Sequence, residues 1–292
     1  MAYLIFVVSG MVIFIALATL LHLQFGLTGI VNFGVVGFWG LGMYATGVLQ
    51  VQYEIPYLLA VIVATLFTGI LAYILGWIIL DLDSQSILVA TLAFATIVVH
   101  LVTTEKWLTK GVVGLGTISF PIDFGRRTDL YFLIILSLIT IALLLYAHKL
   151  RSAPYGRLLL SIQDNEILAR SLGKSTFQEK LIFFTITSGL MGFLGALHAS
   201  VNQFLTPMLL GAGVTFTVWI ALILGGKRRV LGGLIGIVVT IGLFDLLIET
   251  YLPLSSEYAI LVPNIKLMIY GLTLMLILMY RPLGILGDRK NS

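Results

Sequence analysis

The feature that most constrains this chain is a series of long apolar segments that carry almost no charge. Only 10% of the 292 residues are charged and 59% are hydrophobic, whereas a soluble domain typically carries about 25% charged residues. A water-facing surface needs more charge than this, so lipid is the expected solvent. Most of the segments approach the roughly 20 residues that span a bilayer as a helix. They are 3–24, 29–50, 57–80, 86–103, 129–148, 181–204, 208–224, 230–250 and 263–280.

These segments predict helices and not the strands of a membrane barrel. Barrel strands alternate apolar and polar residues over about ten positions, and these segments are uniformly apolar. Because lipid offers no hydrogen-bond partners, a long apolar run satisfies its backbone as a helix. We therefore predict an all-α, polytopic transmembrane helical bundle of about 8–10 spans, with residues 1–292 forming one domain. The absence of cysteine excludes a disulfide framework, an iron–sulfur cluster and a cysteine-ligated zinc site.

The basic residues predict which ends of the segments face the cytoplasm. Most of them lie in loop 149–180, in the loop after the seventh segment (Lys227–Arg229) and in the C-terminal tail. These three regions share one side if the last four segments each span the membrane, and by the positive-inside rule that side is the cytoplasm. The chain is thus expected in a bacterial-type inner (plasma) membrane as a multi-pass protein with a cytoplasmic C-terminus.

Counting back along the segments assigns the remaining loops. The turn at 25–28 and loop 81–85 fall inside, and loops 51–56 and 251–262, which contain no Lys or Arg, fall outside. Loop 104–128 also falls outside, although it contains four basic residues. We keep this assignment because the basic residues of the other loops favour it more strongly.

The second segment is unusually rich in glycine. Its glycines and those just before it are Gly26, Gly29, Gly34, Gly37, Gly40, Gly42 and Gly47. This pattern fits a broken or closely packed helix beside a translocation path, or tight helix packing alone. Polar residues inside a membrane are costly and are frequently functional, and here they are Asn32, His100, His198, Asn202, Gln203, Asp245 and Glu249. Asn32 is expected either to line the translocation path or to hydrogen-bond a neighbouring helix through its amide. Asp245 is expected either to line that path or to place its charge at the membrane interface.

Loop 149–180 is the longest polar stretch between the segments. Pro154 and Gly156 mark the exit from the fifth segment, residues 157–172 have a helical pattern, and Gly173 is expected to cap that helix. Much of one face is shared by Leu158, Ile162, Ala169 and Leu172, with Leu168 close by. Such an amphipathic helix docks into a groove on a partner or lies on the membrane surface, and the loop alone slightly favours the second.

Five stretches of the sequence, in order, resemble the permeases of branched-chain amino acid ABC importers. The loop matches that family at Arg151, Ser152, Gly156, Arg157, Ile162, Asn165, Glu166, Ala169, Leu172 and Gly173. The glycine-rich segment matches at Gly26, Leu27, Gly29, Asn32, Gly34, Gly37, Phe38, Gly40, Gly42 and Tyr44. The other stretches are 180–199, 223–236 and 281–287. The chain departs from the family where Val35 and Val36 replace His-Gly and where Lys227–Arg229 replaces a small, glycine-rich turn.

The resemblance implies partners. These are a second permease subunit, expected to be a paralogue, two cytoplasmic ATPases and an external substrate-binding protein, with lipid around the bundle and no nucleic acid. It also implies that loop 149–180 forms a coupling helix that binds to the ATPase. The residues expected to make this contact are Gly156, Arg157, Asp164, Asn165, Glu166, Ala169, Arg170, Leu172 and Gly173. The candidate substrate-path residues are Asn32, Phe33, Gly34, Gly37 and Asp245.

The chain has no sequence signature of catalysis. It has no phosphate-binding loop of the Walker type, no histidine spacing typical of a metal site and no nucleophile elbow, so we expect it to bind no cofactor, with ATP and Mg on the partner ATPases. The expected function is import of branched-chain or other neutral amino acids by alternating access. A urea or short-amide importer and an ion-coupled carrier that uses Asp245 remain alternatives. A channel is less favoured, and an intramembrane enzyme is the least favoured.

Overall fold

The computed structural model describes residues 2–116, 118, 128–226 and 231–245, and single helical positions at 268, 271, 272, 275, 276 and 279. Its helices are α1 Ala2–Thr28, α2 Val35–Val51, α3 Tyr57–Ile79, α4 Ser84–Thr104, α5 Lys106–Thr109, α6 Thr128–Ser152, α7 Pro154–Asp164, α8 Glu166–Ser171, α9 Thr176–Asn202, α10 Ala212–Gly225 and α11 Leu231–Ile237. A π-helix, Val238–Asp245, follows α11, and 3₁₀ turns lie at Gly111–Val113 and Pro207–Leu210.

Six helices in the described part of the chain are long and apolar enough to cross a membrane. They are Tyr3–Thr28, Tyr57–Ile79, Ser84–Thr104, Thr128–Ser152, Thr176–Asn202 and Pro207–Gly225. Each coincides with a predicted segment, and α2 is a seventh, shorter apolar helix. The outer faces are apolar as well: on α3, Leu58, Leu66 and Trp77 are 64%, 62% and 63% exposed. Because so continuous an apolar surface is stable only in contact with another apolar phase, the predicted polytopic helical bundle is confirmed.

The centre of the bundle is α9, against which α1, α2 and α3 all pack. The approach of α2 to α9 is so close that a Cβ atom on Gly42 would collide with the backbone carbonyl of Gly192. In lipid, where the hydrophobic effect does not drive helices together, small residues permit the van der Waals contact that does. The glycine-rich segment therefore serves close packing along α2.

The same segment is also broken. The prediction of one helix over 29–50 is wrong at its start, because residues 29–34 are not helical and α2 begins at Val35. Irregular backbone is tolerated at membrane depth only where the protein supplies its hydrogen bonds. A side chain of α4 does so here, because the Phe33 N–H donates to Thr91 Oγ1 over 3.0 Å. In the first turn of α2, the Val36 N–H donates to Thr215 Oγ1 of α10 over 3.2 Å.

Contacts at the two ends of the bundle agree with the predicted alternation of loops. The Lys180 Nζ donates to the Leu80 carbonyl over 3.4 Å, and the Gln163 Nε2 donates to the Phe25 carbonyl over 3.1 Å. The turn at 25–28, loop 81–85 and loop 149–180 therefore share one end, which we call the α7 end.

Loops predicted to lie on the opposite side meet at the other end. The Gln52 side chain donates to the Trp107 carbonyl over 3.3 Å. Leu115 and Leu205 exchange two backbone hydrogen bonds of 2.9 and 2.7 Å, an isolated β-bridge. The segment after α4 is thus joined both to the loop after α2 and to the chain after α9.

The last two predicted segments are described only in part. Segment 230–250 starts as α11 and continues as the π-helix to Asp245, and segment 263–280 is described only at the six helical positions given above. Loop 227–230, the Asp245 side chain, Glu249 and the C-terminal tail lie outside the described residues. The total of nine spans therefore stays a prediction.

Candidate functional site

Loop 149–180 folds into two short helices at the α7 end, so the continuous helix predicted over 157–172 is wrong. Helix α7 starts with Pro154 at its first position, where the missing N–H would have no helical partner anyway. Asn165 then takes an extended conformation, with φ −155° and ψ 96°, and its Oδ1 accepts a 3.0 Å hydrogen bond from the Leu168 N–H. Asparagine is favoured at such a cap because its side chain bonds the following backbone.

The break at Asn165 sends the apolar side chains in two directions. Those of α7 and α8 that pack inward are Leu159, Ile162 and Ala169, with Leu158 half-buried. Those that point outward are Ile167, Leu168 and Leu172, which are 81%, 57% and 72% exposed; we call these three the apolar patch. The single apolar face predicted across the loop is therefore wrong for Leu168 and Leu172.

The end of α8 follows the prediction for Gly173. This residue has φ +80°, its N–H donates to the Arg170 carbonyl over 3.0 Å, and the Lys174 N–H donates to the Ala169 carbonyl over 3.2 Å. The two bonds form the Schellman pattern that satisfies carbonyls at a helix end. Gly173 as the C-terminal cap is confirmed.

The other predicted coupling residues hold the start of α7 or face outward. A Cβ at Gly156 would collide with the Leu150 carbonyl, so α7 lies directly against the end of α6. The Arg157 guanidinium donates to the Ser152 carbonyl over 2.6 Å, and Asp164 is exposed at the end of α7. These residues shape the loop whose outer surface carries the apolar patch.

An ion pair ties α8 to the bundle. The Lys180 Nζ lies 2.9 Å from Glu166 Oε2, and the Arg170 guanidinium lies 3.5 Å from Glu166 Oε1. Burial alone would raise the pKa of the Glu166 carboxyl, but the hydrogen bond and charge of Lys180, with help from Thr176 and Arg170, outweigh it and hold that pKa below its ordinary value. Beside the pair is an open cavity of about 400 Å³, bounded by Leu80, Asp81, Leu82, Glu166, Ile167, Arg170, Ser171 and Lys180.

A second candidate site lies inside the bundle, where the fully buried Asn32 holds the non-helical segment. Its Nδ2 donates to Gln24 Oε1 over 2.8 Å, and its Oδ1 accepts from the Gly34 N–H over 2.7 Å. Gln24 Nε2 in turn donates to Thr187 and Ser188 of α9, over 2.7 and 3.0 Å. Asn32 is thus an amide that joins α1 and α9 to the start of α2.

An aromatic stack continues from this network to a cavity. The Trp219 Nε1 donates to the Asn32 carbonyl over 3.0 Å, and the Trp219 ring stacks on Phe33 at 4.8 Å between centroids. Phe33 also meets Phe216 edge-on at 6.3 Å. Both phenylalanines line a largely apolar cavity of about 240 Å³ between α2, α4 and the start of α10. Its other lining residues are Val36, Leu92, Ala95, Thr96, Val99, Pro207, Leu210, Gly211, Ala212 and Thr215.

The structure separates the predicted path residues. Phe33 lines the 240 Å³ cavity, whereas Asn32 is held in the hydrogen-bond network. Gly34 and Gly37 allow the chain to pack closely against α4, because a Cβ on either would lie within 3.0 Å of that helix. Asp245 ends the π-helix. The sequence reading missed Gln24, Thr91, Thr215, Phe216 and Trp219. Of these only Gln24 carried a signal, as an amide side chain within an apolar span.

The remaining polar candidates gather near the end opposite α7. His198 and Asn202 line a cavity of about 480 Å³ with aromatic and aliphatic residues of α1 and α10, and the Asn202 amide donates to the His198 carbonyl over 3.2 Å. His100 is exposed on α4, and Gln203 caps α9. Among the described residues, no group of three His, Asp or Glu side chains is arranged to hold a metal ion.

Membrane-spanning helices around a broken, glycine-rich segment, with a pair of short helices between two spans, define a multi-pass membrane protein. A family model described as "Branched-chain amino acid transport system / permease component" matches residues 1–278, so the chain belongs to that family of permeases. It is a transport subunit of an ABC importer.

Relatives of known name agree with this family. The high-affinity branched-chain amino acid permease protein LivM of Salmonella typhimurium is 26% identical over 299 residues, which cover 94% of this chain and 68% of LivM. In Methanocaldococcus jannaschii, a probable LivM is 23% identical over 309 residues (92% of this chain, 89% of that protein). A probable LivH of the same organism is 27% identical over 217 residues (70% and 64%). No solved structure matches this chain.

Proposed function

We propose that this chain imports branched-chain amino acids, as one of two permease subunits in an ATP-driven transporter that works by alternating access. The observation that carries the choice of solute is the 240 Å³ cavity beside Phe33. Its lining is aliphatic and aromatic, with hydroxyls from Thr96 and Thr215 and no charged side chain. Such a lining complements an aliphatic side chain, and the names of the LivM and LivH relatives point to the same solutes.

The cavity suits passage and not tight retention. A zwitterionic amino acid finds no charged partner among its lining residues, and taking charged groups out of water without partners is unfavourable. The solute is therefore held weakly in the membrane, and discrimination among solutes rests on an external binding protein. A urea or short-amide solute fits less well, because the lining offers few hydrogen-bond partners for a small polar molecule.

The α7 end supplies the proposed contact with the ATPase. The apolar patch, the Glu166–Arg170–Lys180 charges and the 400 Å³ cavity form one surface of mixed character, and a fixed apolar group beside fixed charges is typical of a specific docking surface. On this proposal the α7 end and the C-terminus are cytoplasmic. ATP and Mg bind to the ATPase subunits, and this chain binds no cofactor of its own.

The test uses the complete transporter, purified through a tag on this chain and reconstituted into vesicles. We expect uptake of radiolabelled leucine that requires ATP. Ala212→Phe places a ring in the cavity at an exposed lining position and should lower uptake at least about tenfold, the effect of roughly 1.4 kcal/mol. Ala142→Phe, at an exposed position of α6, is the matched control and should transport normally.

Three results would contradict the proposal. Uptake of urea in place of leucine would remove the proposed solute, and leucine uptake without ATP would favour an ion-coupled carrier. If Ala212→Phe transports leucine as well as Ala142→Phe and the wild type do, the cavity is not on the translocation path.

A further inference from the structure

The two candidate sites are joined by a continuous series of contacts, and we propose that Gln163 is the positioning residue that begins it. Movement of α7 would pass through Gln163 to the end of α1, then to the non-helical segment 29–34, and so to Phe33 at the 240 Å³ cavity. The inference rests on the proposed function in one respect: it takes α7 and α8 as the seat of the ATPase.

The first contact is between α7 and the last turn of α1. The Gln163 Nε2 donates to the Phe25 carbonyl over 3.1 Å, and the same carbonyl accepts the Gly29 N–H over 3.1 Å. Carbonyls in the last turn of a helix lack further helical partners and are open to such side-chain bonds. Gln163 therefore binds the carbonyl group that closes α1.

The second element is the change of chain direction at Gly29. Its φ is +72°, a conformation that glycine adopts readily and other residues rarely do. A Cβ at this position would lie 3.4 Å from Gln163 Cγ, so the side chain of Gln163 lies directly against the turn. Because helices move as rigid units and conformational change concentrates in element-terminal residues, Gly29 is the natural pivot between α7 and the non-helical segment.

The third element is aromatic. The Phe25 ring packs edge-on against Trp219 at 5.3 Å between centroids, and Trp219 stacks on Phe33 at 4.8 Å with 19° between the planes. Trp219 also donates to the Asn32 carbonyl, so it holds two successive residues of the segment. A shift of Phe25 with α7 would displace a stack whose last member lines the cavity.

The ion pair of α8 connects to a different part of the bundle from Gln163. Lys180 joins Glu166 to the start of α9 and to the Leu80 carbonyl at the end of α3, and these helices pack together in the centre of the bundle. That contact anchors α8 on the rigid part of the fold. Gln163 contacts the part that can change its backbone conformation.

The test measures whether the nucleotide bound to the ATPase changes the accessibility of the cavity lining. Because the chain has no cysteine, Thr96→Cys introduces the only thiol of this subunit, on the cavity lining, and labelling is measured on this subunit. In the purified transporter we expect the rate of thiol labelling by a maleimide to differ between ATP with vanadate and ADP. Gln163→Glu keeps the shape but has no donor at neutral pH, and should reduce that difference about two- to tenfold, the equilibrium effect of one hydrogen bond. Leucine transported per ATP hydrolysed should fall with it.

Two further variants separate positioning from folding. Gln163→Lys retains a hydrogen-bond donor and should preserve both the nucleotide dependence of labelling and the leucine transported per ATP. Ser161→Ala lies at an exposed position of α7, where the hydroxyl bonds only within its helix, and should leave both quantities unchanged. Every variant should retain the ATPase on purification. The inference is overturned if labelling is independent of nucleotide in the wild type, or if Gln163→Glu leaves the nucleotide dependence intact. A normal labelling response without leucine uptake would instead refute the proposed solute and leave the role of Gln163 standing.

Discussion

Replacing Asn32 with leucine should destabilise the bundle by about 2 kcal/mol. The side chain makes two buried hydrogen bonds, so its loss leaves Gln24 Oε1 and the Gly34 N–H without these partners in the membrane interior. In water-soluble proteins each orphaned group costs about 1–3 kcal/mol, but interhelical hydrogen bonds measured in a membrane protein average about 0.6 and reach about 1.7 kcal/mol. Two bonds of about 1 kcal/mol each, between that average and that maximum, give the estimate.

A matched control is available in the same chain. Asn202 makes a single bond, to the His198 carbonyl of its own helix, and is half-buried near the end of α9. Asn202→Leu therefore removes one local bond and gains helix propensity, for a net change within about 0.5 kcal/mol. The two variants make the same chemical change at sites that differ in partners and burial.

The assay is reversible unfolding in mixed detergent micelles, followed by circular dichroism during a titration with sodium dodecyl sulfate. A double-mutant cycle with Gln24→Leu separates the pairwise contribution, because removing both partners is less costly than orphaning one. The coupling between Gln24 and Asn32 should be about 0.5–3 kcal/mol. Equal free energies of unfolding for Asn32→Leu and Asn202→Leu, or a coupling near zero, would refute the claim that this network fixes the broken segment.

Three further predictions concern the α7 end. Since Lys180, with help from Thr176 and Arg170, holds the pKa of Glu166 below its ordinary value, the ion pair should stabilise α8 at pH values above that ordinary value and lose its effect as pH falls through the lowered pKa. Lys180→Met should weaken this pH dependence in hydrogen exchange of α8. Gly29→Ala should lower the free energy of unfolding by about 1–2 kcal/mol because of its positive φ, and an unchanged value would contradict the assigned turn. Ile167→Asp should change stability by no more than about 0.5 kcal/mol, because the side chain is exposed, yet it should prevent co-purification of the ATPase; retention of the ATPase would place the docking surface elsewhere.

The sequence predicted the spans well because composition alone determines them. A run such as 57–80 has no other way to satisfy its backbone in lipid, and the observed helix, Tyr57–Ile79, follows the run almost residue for residue. Local capping chemistry was also predictable: Gly173 ends α8 as its position in the pattern indicated.

The interior of the candidate site was less predictable, because it depends on tertiary contacts. Glycines at 29 and 34 fit a broken helix and a closely packed helix equally. Only the hydrogen bonds that the Phe33 and Val36 N–H groups donate to Thr91 and Thr215 decide for the break. Periodicity could not foresee the break at Asn165, because one extended residue changes the direction of α8 without interrupting the apolar spacing. The pairing of Glu166 with Lys180 spans 14 residues and requires the chain to fold back first.

The shortness of α8 has a consequence for assembly. A helix of six residues has almost no stability of its own, because nucleation is unfavourable and isolated helices need about 12–15 residues. Its fixed geometry comes from Glu166 bonded to Lys180, which in turn bonds the end of α3. The apolar patch is therefore presented in one arrangement only after α3 and α9 have come together. If α8 docks an ATPase as proposed, recruitment of that subunit would follow completion of the helix core, so that only a folded permease would join the transporter.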